Sequence, residues 1–356
     1  MRLIISTLHF YNNFGSVLQA YALKHVLEER FGCVAKISDY RPDLPEYRYF
    51  TSTELLKGYE VKKEKFADFR EKYLELSDGT DCDYDVRAVG SDIVWGKEFS
   101  KLDSSYFLSD DRVNFKRDGK KIAYAASVIL RDGCTEDDEL FKRYLPELDS
   151  IAVRETTAVE VISRLSGKEV QAVLDPTLLL DSCDYDALID QYKAQSSIMS
   201  EPYLLSYFLT HDPAVVDYSN MIARKLELKV VHYFADYPDR IFDADSKCFA
   251  FAGPEEFLAL VKNAALVFTN SFHGTCFSMI YRKPFYTYTA KRAMLSRVKD
   301  LCARLGMEDR YFTDFRDLKK VTLDIDYSEF EKQLEVWRKK SFDFLEQALQ
   351  KEAKDV

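Results

Sequence analysis

The run Thr269-Asn270-Ser271-Phe272-His273-Gly274-Thr275 follows an apolar stretch at 264–268 and leads into the amphipathic segment 276–281. A strand that passes to a helix through small polar residues and a glycine leaves backbone N–H groups aimed at whatever anion sits at the helix start. His273 adds a titratable proton beside that anion. Phosphate binding coupled to acid or base chemistry is what this spacing offers. A structural place in the turn is the other reading of a lone histidine.

Four further turns carry similar residues. Asn12-Asn13-Phe14-Gly15-Ser16 leads from a first strand into a helix that continues through Gln19 and Tyr21. Gly15 permits close backbone approach and Ser16 is a candidate N-cap, either for an ordinary capped helix or beside a ligand in the crevice beyond the strand ends. Gly90-Ser91-Asp92 offers a hydroxyl and a carboxylate after the strand-like 85–89, and Trp95 a flat apolar face of the kind sugar rings stack on. A plain turn is equally compatible. Tyr124-Ala125-Ala126-Ser127 would let a ligand approach closely. Arg154 ends another strand, where it either pairs with Glu155 or an outer carboxylate, or clamps a carboxylate or phosphate.

Strand-like and helix-like runs alternate from end to end, which predicts α/β architecture with open parallel sheets flanked by helices. The first half places strands at 2–8, 33–39, 85–89, 120–126, 149–153 and 170–174, and helices at 16–30, 54–74, 136–145 and 155–166. A proline interrupts the pattern in 174–181, so the first domain is expected over 1–180. The second, over 181–326, carries strands at 203–208, 228–234, 265–269 and 285–289. Between them fall helices at 213–226, 255–263, 274–281 and 293–304. Residues 327–356 read as a terminal helix able to pack back across the junction.

Composition narrows the function. With 60 acidic against 50 basic residues the net charge is −10, which repels nucleic acid and gives no general pull on anionic substrates. Any phosphate site must therefore be built from a few local donors. None of the 12 glycines makes a G-x-G or P-loop pattern, so a bound NAD, FAD or ATP has no support and no cofactor is expected. Seven cysteines without a C-x-x-C pair argue against both a disulfide framework and structural zinc. Short acidic pairs at 81–83, 243–245 and 324–326 are what chance produces in so acidic a chain, and no metal is expected. No apolar run reaches the ~20 residues of a membrane span. The first segment reads as a strand rather than a secretion signal, giving a cytoplasmic expectation.

Taken in order, Asn-Phe-Gly-Ser-x-Leu-Gln-Ala-Tyr, Gly-Ser-Asp-x-x-Trp, Tyr-Ala-Ala-Ser, Val-Arg-Glu, Asp-Pro-Thr-Leu-Leu-Leu and Ser-Phe-His-Gly-Thr resemble the polysaccharide pyruvyl transferase family over about residues 3–310. The resemblance implies two Rossmann-like halves facing each other across a cleft, similar to the GT-B arrangement. It also implies phosphoenolpyruvate as donor and a saccharide diol, free or lipid-linked, as acceptor. Carried onto this sequence, it makes His273, Arg154 and Asp92 the catalytic candidates. Asn13, Gly15, Ser16, Gln19, Ser91, Trp95, Ser127, Ser271, Phe272, Gly274, Thr275 and Arg297 become candidates for substrate binding. Ile93 and Gly96 stand where members often carry Gln and Asn, and Asn270 where Asp is frequent. A nucleotide-sugar glycosyltransferase of GT-B type and a non-catalytic carbohydrate-binding relative are the alternatives.

Overall fold

The computed structural model describes residues 1–42, 52–96, 104–128, 136–190, 201–209, 212–234, 251–289, 292–315 and 321–350, with backbone alone at 136–138 and 292–296. Cys134, His211, Cys248, the acidic pair at 243–245 and most of the polar excursion expected at 41–53 lie outside these ranges.

Two wholly parallel sheets organise the chain. The first joins β1 (Arg2–Ser6), β2 (Val34–Ser38), β3 (Leu76–Ser77), β4 (Tyr84–Val89), β5 (Phe115–Ala126), β6 (Ser150–Val153) and β7 (Val170–Ala172), in the order β3-β2-β1-β4-β5-β6-β7. The second joins β8 (Tyr203–Phe208), β9 (Lys229–Phe234), β10 (Leu266–Thr269), β11 (Phe285–Tyr288) and β12 (Tyr311–Phe312), in the order β12-β11-β10-β8-β9. Most of their strands, such as β4, β6, β8, β10 and the second half of β5, are buried on both faces, which is why they read as apolar runs rather than as alternation. The two-residue strands β3 and β12 are too short to carry a periodic signal.

The helices are α1 (Phe14–Glu29), α2 (Thr53–Tyr73), α3 (Glu136–Tyr144), α4 (Val159–Ser166), α5 (Ser182–Asp190), α6 (Pro213–Leu226), α7 (Pro254–Asn263), α8 (Phe272–Ile280), α9 (Arg292–Arg304) and α10 (Ser328–Leu349). Two of them lack a solvent face where it matters. Residues 14–20 of α1 and all nine residues of α8 are buried, and their polar side chains Gln19, Thr275 and Ser278 bond to backbone carbonyls rather than to solvent. Phe14 explains the burial: its ring stacks on Phe257 of α7 at 4.4 Å and 7°, and meets Tyr207 and Tyr233 of the second sheet edge-on or tilted. One continuous apolar cluster runs from Leu3 and Ile5 of the first sheet to Leu205 and Val267 of the second.

The last helix touches both halves. Near its start Tyr327 donates to Lys283 O at 2.6 Å and Arg282 pairs with Glu331. Farther along, Ser341 Oγ accepts from Leu174 N at 2.9 Å, and Arg338 donates to Leu178 O at 2.7 Å.

Candidate active site

Parallel α/β sheets collect ligands beyond the carboxyl ends of their strands, at the point where strand order reverses. In the first sheet that point lies between β1 and β4, and the turns leaving both are bonded together there. Ser16 Oγ donates to Asp92 Oδ2 at 2.7 Å, and Thr7 Oγ1 to Ser91 O at 3.0 Å. In the second sheet the reversal lies between β8 and β10, where Asn270 Oδ1 accepts from Leu209 N at 2.8 Å.

The turn after β4 depends on glycine. Gly90 has φ +109°, and a Cβ there would lie 2.2 Å from Tyr124 O. Asp92 also sits in the left-handed region at φ +67°, with Oδ1 accepting from Ile93 N at 2.9 Å. Beside it the ends of β5, β6 and β7 supply a chain of polar contacts. Ser127 Oγ donates to Glu155 Oε1 at 2.7 Å, and Ser91 Oγ reaches Ala125 O at 3.0 Å and Asp175 Oδ2 at 3.1 Å.

Arg154 sits in the middle of this chain with no solvent exposure. Its Nε donates to Glu155 Oε1 at 3.2 Å, its Nη1 donates to Asp175 Oδ2 at 2.9 Å, and Asp92 Oδ1 lies 4.0 Å from Nη1. The Phe272 ring lies 4.1 Å from the guanidinium carbon, a cation–π contact from the opposite half of the molecule. Burial by itself lowers the Arg154 pKa, but Glu155, Asp175 and Asp92 more than reverse that and keep the guanidinium charged.

His273 enters from the start of α8, whose N-cap Ser271 accepts from Gly274 N at 3.1 Å. Its Nε2 lies 3.4 Å from Asp175 Oδ2 but out of line for a hydrogen bond. Its other face rests on Gly15, where a Cβ would stand 2.0 Å from Nδ1. Imidazole and guanidinium thus converge on one carboxylate oxygen, that of Asp175. Burial alone would push the Asp175 carboxyl up, yet attraction to His273 and Arg154 holds it far below the ordinary range. Asp175 Oδ1 is occupied by the N–H of Thr177 at 3.1 Å and its hydroxyl at 2.8 Å.

Several expectations need correction. Arg154 takes the first of its two readings, pairing with Glu155 and the outer carboxylate of Asp175, so it is not free to clamp a ligand through two nitrogens. Trp95 presents no face to a sugar: it is 1% exposed, stacks on Phe107 at 5.9 Å and donates from Nε1 to Tyr106 O at 2.9 Å. Asn13, not Ser16, caps α1, accepting from Ser16 N at 3.2 Å. Gln19 is fully buried and its Nε2 ties Thr7 Oγ1 at 2.9 Å to Ser16 O at 2.8 Å, which makes it a brace for the loop. Thr275 bonds back to Ser271 O at 2.9 Å, while Gly274 packs against Tyr207 and Thr269.

Arg297 comes in from α9, half-buried. Burial and repulsion by Arg154 both lower its pKa. Its helix is docked against the end of β6 by Asp300, which accepts from the Thr156 hydroxyl and, at 3.4 Å, from Thr156 N, and which pairs with Arg304 one turn further along the same helix. Two residues absent from the sequence-derived site, Glu155 and Asp175, prove central. Asp175 belongs to the run Asp-Pro-Thr, in which the proline signals a boundary and nothing local singles out the carboxylate.

The first of the short acidic pairs is engaged by protein side chains. Asp81 is held by Lys36 at 2.7 Å, Ser77 at 2.6 Å and Tyr84 at 2.7 Å. Among the described residues no His, Cys, Asp and Glu cluster could hold a metal ion, and no helix is long and apolar enough to cross a membrane.

Two parallel α/β sheets with strand ends converging on one polar centre define a GT-B-like protein. The solved structure of UDP-N-acetylglucosamine 2-epimerase from Rickettsia bellii shares this fold, with TM-score 0.51, 9% identity, and 97% of this chain and 96% of that one covered. UDP-GlcNAc 2-epimerase from Methanocaldococcus jannaschii compares at TM-score 0.45 and 13% identity, over 96% and 100% of the two chains. Curated proteins give no match by sequence. The profile of the family described as polysaccharide pyruvyl transferase matches residues 13–291, and the chain belongs to that family.

Proposed function

We propose that this protein moves the enolpyruvyl group of phosphoenolpyruvate onto a sugar diol of a glycan or glycan precursor, forming a pyruvate ketal and releasing phosphate. Four buried side-chain atoms around the Asp175 contact lack a hydrogen-bond partner: Arg154 Nη2, His273 Nε2, Arg297 Nε and Glu155 Oε2. Unmatched buried polar atoms are costly unless a ligand completes them. Three cationic or proton-bearing nitrogens and one carboxylate oxygen suit a small anion together with a hydroxyl group. That surplus, placed where the two sheets' strand ends meet, is the observation that carries the reading.

In the proposed reaction Arg154 Nη2, Arg297 and the N-terminal turn of α8 hold the donor's phosphate and carboxylate. His273 delivers a proton to the methylene carbon, and the cationic centre formed at C2 is attacked by a first sugar hydroxyl. Phosphate then leaves, and a second hydroxyl of the same diol adds to C2 and closes the ketal. One proton is taken up at the methyl carbon and two are lost from the hydroxyls; the phosphate departs carrying one of these. Asp92 is the proposed acceptor of a hydroxyl proton, with Ser16 and Asn13 fixing its loop. Asp175 acts through its neighbours, setting the positions of the imidazole and the guanidinium.

Thermal stabilisation measured separately with phosphoenolpyruvate and with nucleotide sugars tests the donor, since a ligand that binds only the native state raises its melting temperature. Stabilisation by phosphoenolpyruvate, with phosphate released once acceptor is supplied, is the expected result. Stabilisation by a nucleotide sugar alone would replace this reading with glycosyl transfer. Phosphoenolpyruvate binding without turnover on any acceptor would leave a non-catalytic relative.

A further inference from the structure

A second cavity, of about 300 Å³, opens on the same carboxyl edge of the first sheet, beside the ends of β1, β2 and β3. That volume is at the lower end of small-molecule sites, which run from ~300 Å³ upward. Its walls include Tyr40, Asp78, Thr80, Arg87, Asp110 and Arg112. The Arg112 guanidinium lies 3.6 Å over the Tyr40 ring. Arg87, 3% exposed, donates to Asp110 O and Asp110 Oδ2, each at 2.8 Å, while its Nε is buried with no partner. None of these residues belongs to the candidate active site.

Charge decides the ligand class. The carboxylates of Asp39, Asp78 and Asp110 outnumber the guanidiniums of Arg87 and Arg112 in the lining, so a phosphate or carboxylate gains little there. A neutral polyol matches better, because its hydroxyls both donate and accept, and the wall offers carboxylate acceptors, guanidinium donors and hydroxyls of Ser6 and Ser38. Position ties the cavity to the reaction centre. Ser6 lines it, and Ser6 O accepts from Gly90 N at 3.1 Å, in the turn that carries Asp92. Arg87 of β4 lines the cavity as well, so it lies one to three strand spacings of ~4.8 Å from the ends of β5, β6 and β7 along the sheet edge.

We infer that this cavity is a distal acceptor subsite, holding one neutral sugar ring of an oligosaccharide whose other end carries the diol to be ketalised. As an acceptor subsite it rests on the function proposed above; as a glycoside-binding site it stands alone. The test is saturation-transfer NMR on the full chain with the methyl glycosides of glucose, galactose, mannose and N-acetylglucosamine. Binding of phosphoenolpyruvate is followed in parallel by thermal shift. At least one glycoside should give a transfer signal, and Arg112→Ala and Thr80→Ala should each weaken its binding about tenfold, as expected on losing a hydrogen-bonding partner. The phosphoenolpyruvate shift should stay unchanged in both variants. Absence of signal from all four glycosides with the unaltered protein, or undiminished binding in both variants, overturns the subsite. A missing phosphoenolpyruvate shift beside intact, variant-sensitive glycoside binding would instead overturn the donor assignment alone.

Discussion

The two sheet edges that meet at Asp175 are built on opposite plans. The first edge is a dense network: Asp92, Ser127, Arg154, Glu155 and Asp175 come from the ends of four strands and bond to one another and to Ser16, leaving over Arg154 Nη2 and Glu155 Oε2. The second contributes one short buried helix start and one arginine, and there the polar atoms stand unmatched, His273 Nε2 and Arg297 Nε among them. One side holds its charges in a network with two atoms to spare, and the other brings side chains that the network barely engages. In the proposed reaction, such a site would keep its electrostatics without the donor and place the reacting proton on an element that ligand contacts directly.

The largest way to break that contrast is Arg154→Ala. It strands the buried carboxylates of Glu155 and Asp175, and removing one partner of a buried ion pair costs ~3–5 kcal/mol. Denaturant unfolding should show a loss of that order. Arg297→Ala, on the open side, should unfold close to the unaltered protein while weakening phosphoenolpyruvate binding.

Next in size is the acid side of the stability curve. His9, fully buried in the loop after β1, has its pKa lowered from 6.5 to about 3, by burial first and then by repulsion from Arg41 and Arg70. Because the folded value is the lower one, the unfolded chain binds the extra proton. The stabilisation is fully present above pH 6.5 and lost progressively as pH falls toward 3. Melting temperatures recorded across that window should decline steeply, and His9→Phe should flatten the decline.

Gly15→Ala probes the seam between the halves. The new methyl would collide with the His273 ring, and because a side chain yields more readily than backbone, the imidazole should shift rather than the helix. Displacing a catalytic group by ~1 Å costs on the order of 10²-fold in rate. Steady-state kinetics should therefore show a loss in kcat with melting changed by only a few degrees. The smallest effects belong to the caps: Asn13→Ala and Ser271→Ala each remove a side-chain acceptor at a helix start, worth ~1 kcal/mol. Equal losses in stability, with activity more sensitive to Ser271, would sharpen the distinction between a holding edge and a reacting edge.

Much of this was legible in the chain itself. Apolar runs of strand length, each followed by a periodic segment, located ten of the twelve strands, all but β3 and β12, because fully buried parallel strands carry a strong local signal. The turn at 269–275 announced itself through its residue types. What escaped were relations across distance. Nothing near Asp175 says that β7 lies beside β6, or that α8 of the other half will place an imidazole against it. Trp95 misled for the same reason: a tryptophan beside a polar turn suits a sugar platform, but Phe107 and Phe141 bury it, and neither neighbours it in sequence. The cap of α1 was misplaced by three residues because Asn13 and Ser16 both suit the position, and only the extended backbone of Asn13, at φ −113° and ψ 123°, decides between them.

The proposed chemistry turns on His273 as the general acid. Phosphate release from phosphoenolpyruvate in the presence of a saccharide acceptor, compared between the unaltered protein and His273→Ala, tests it most directly. A fall of ~10²- to 10⁴-fold, the usual contribution of a general acid, with an unchanged melting temperature, is the outcome predicted. Release at an undiminished rate from a folded His273→Ala protein would contradict it.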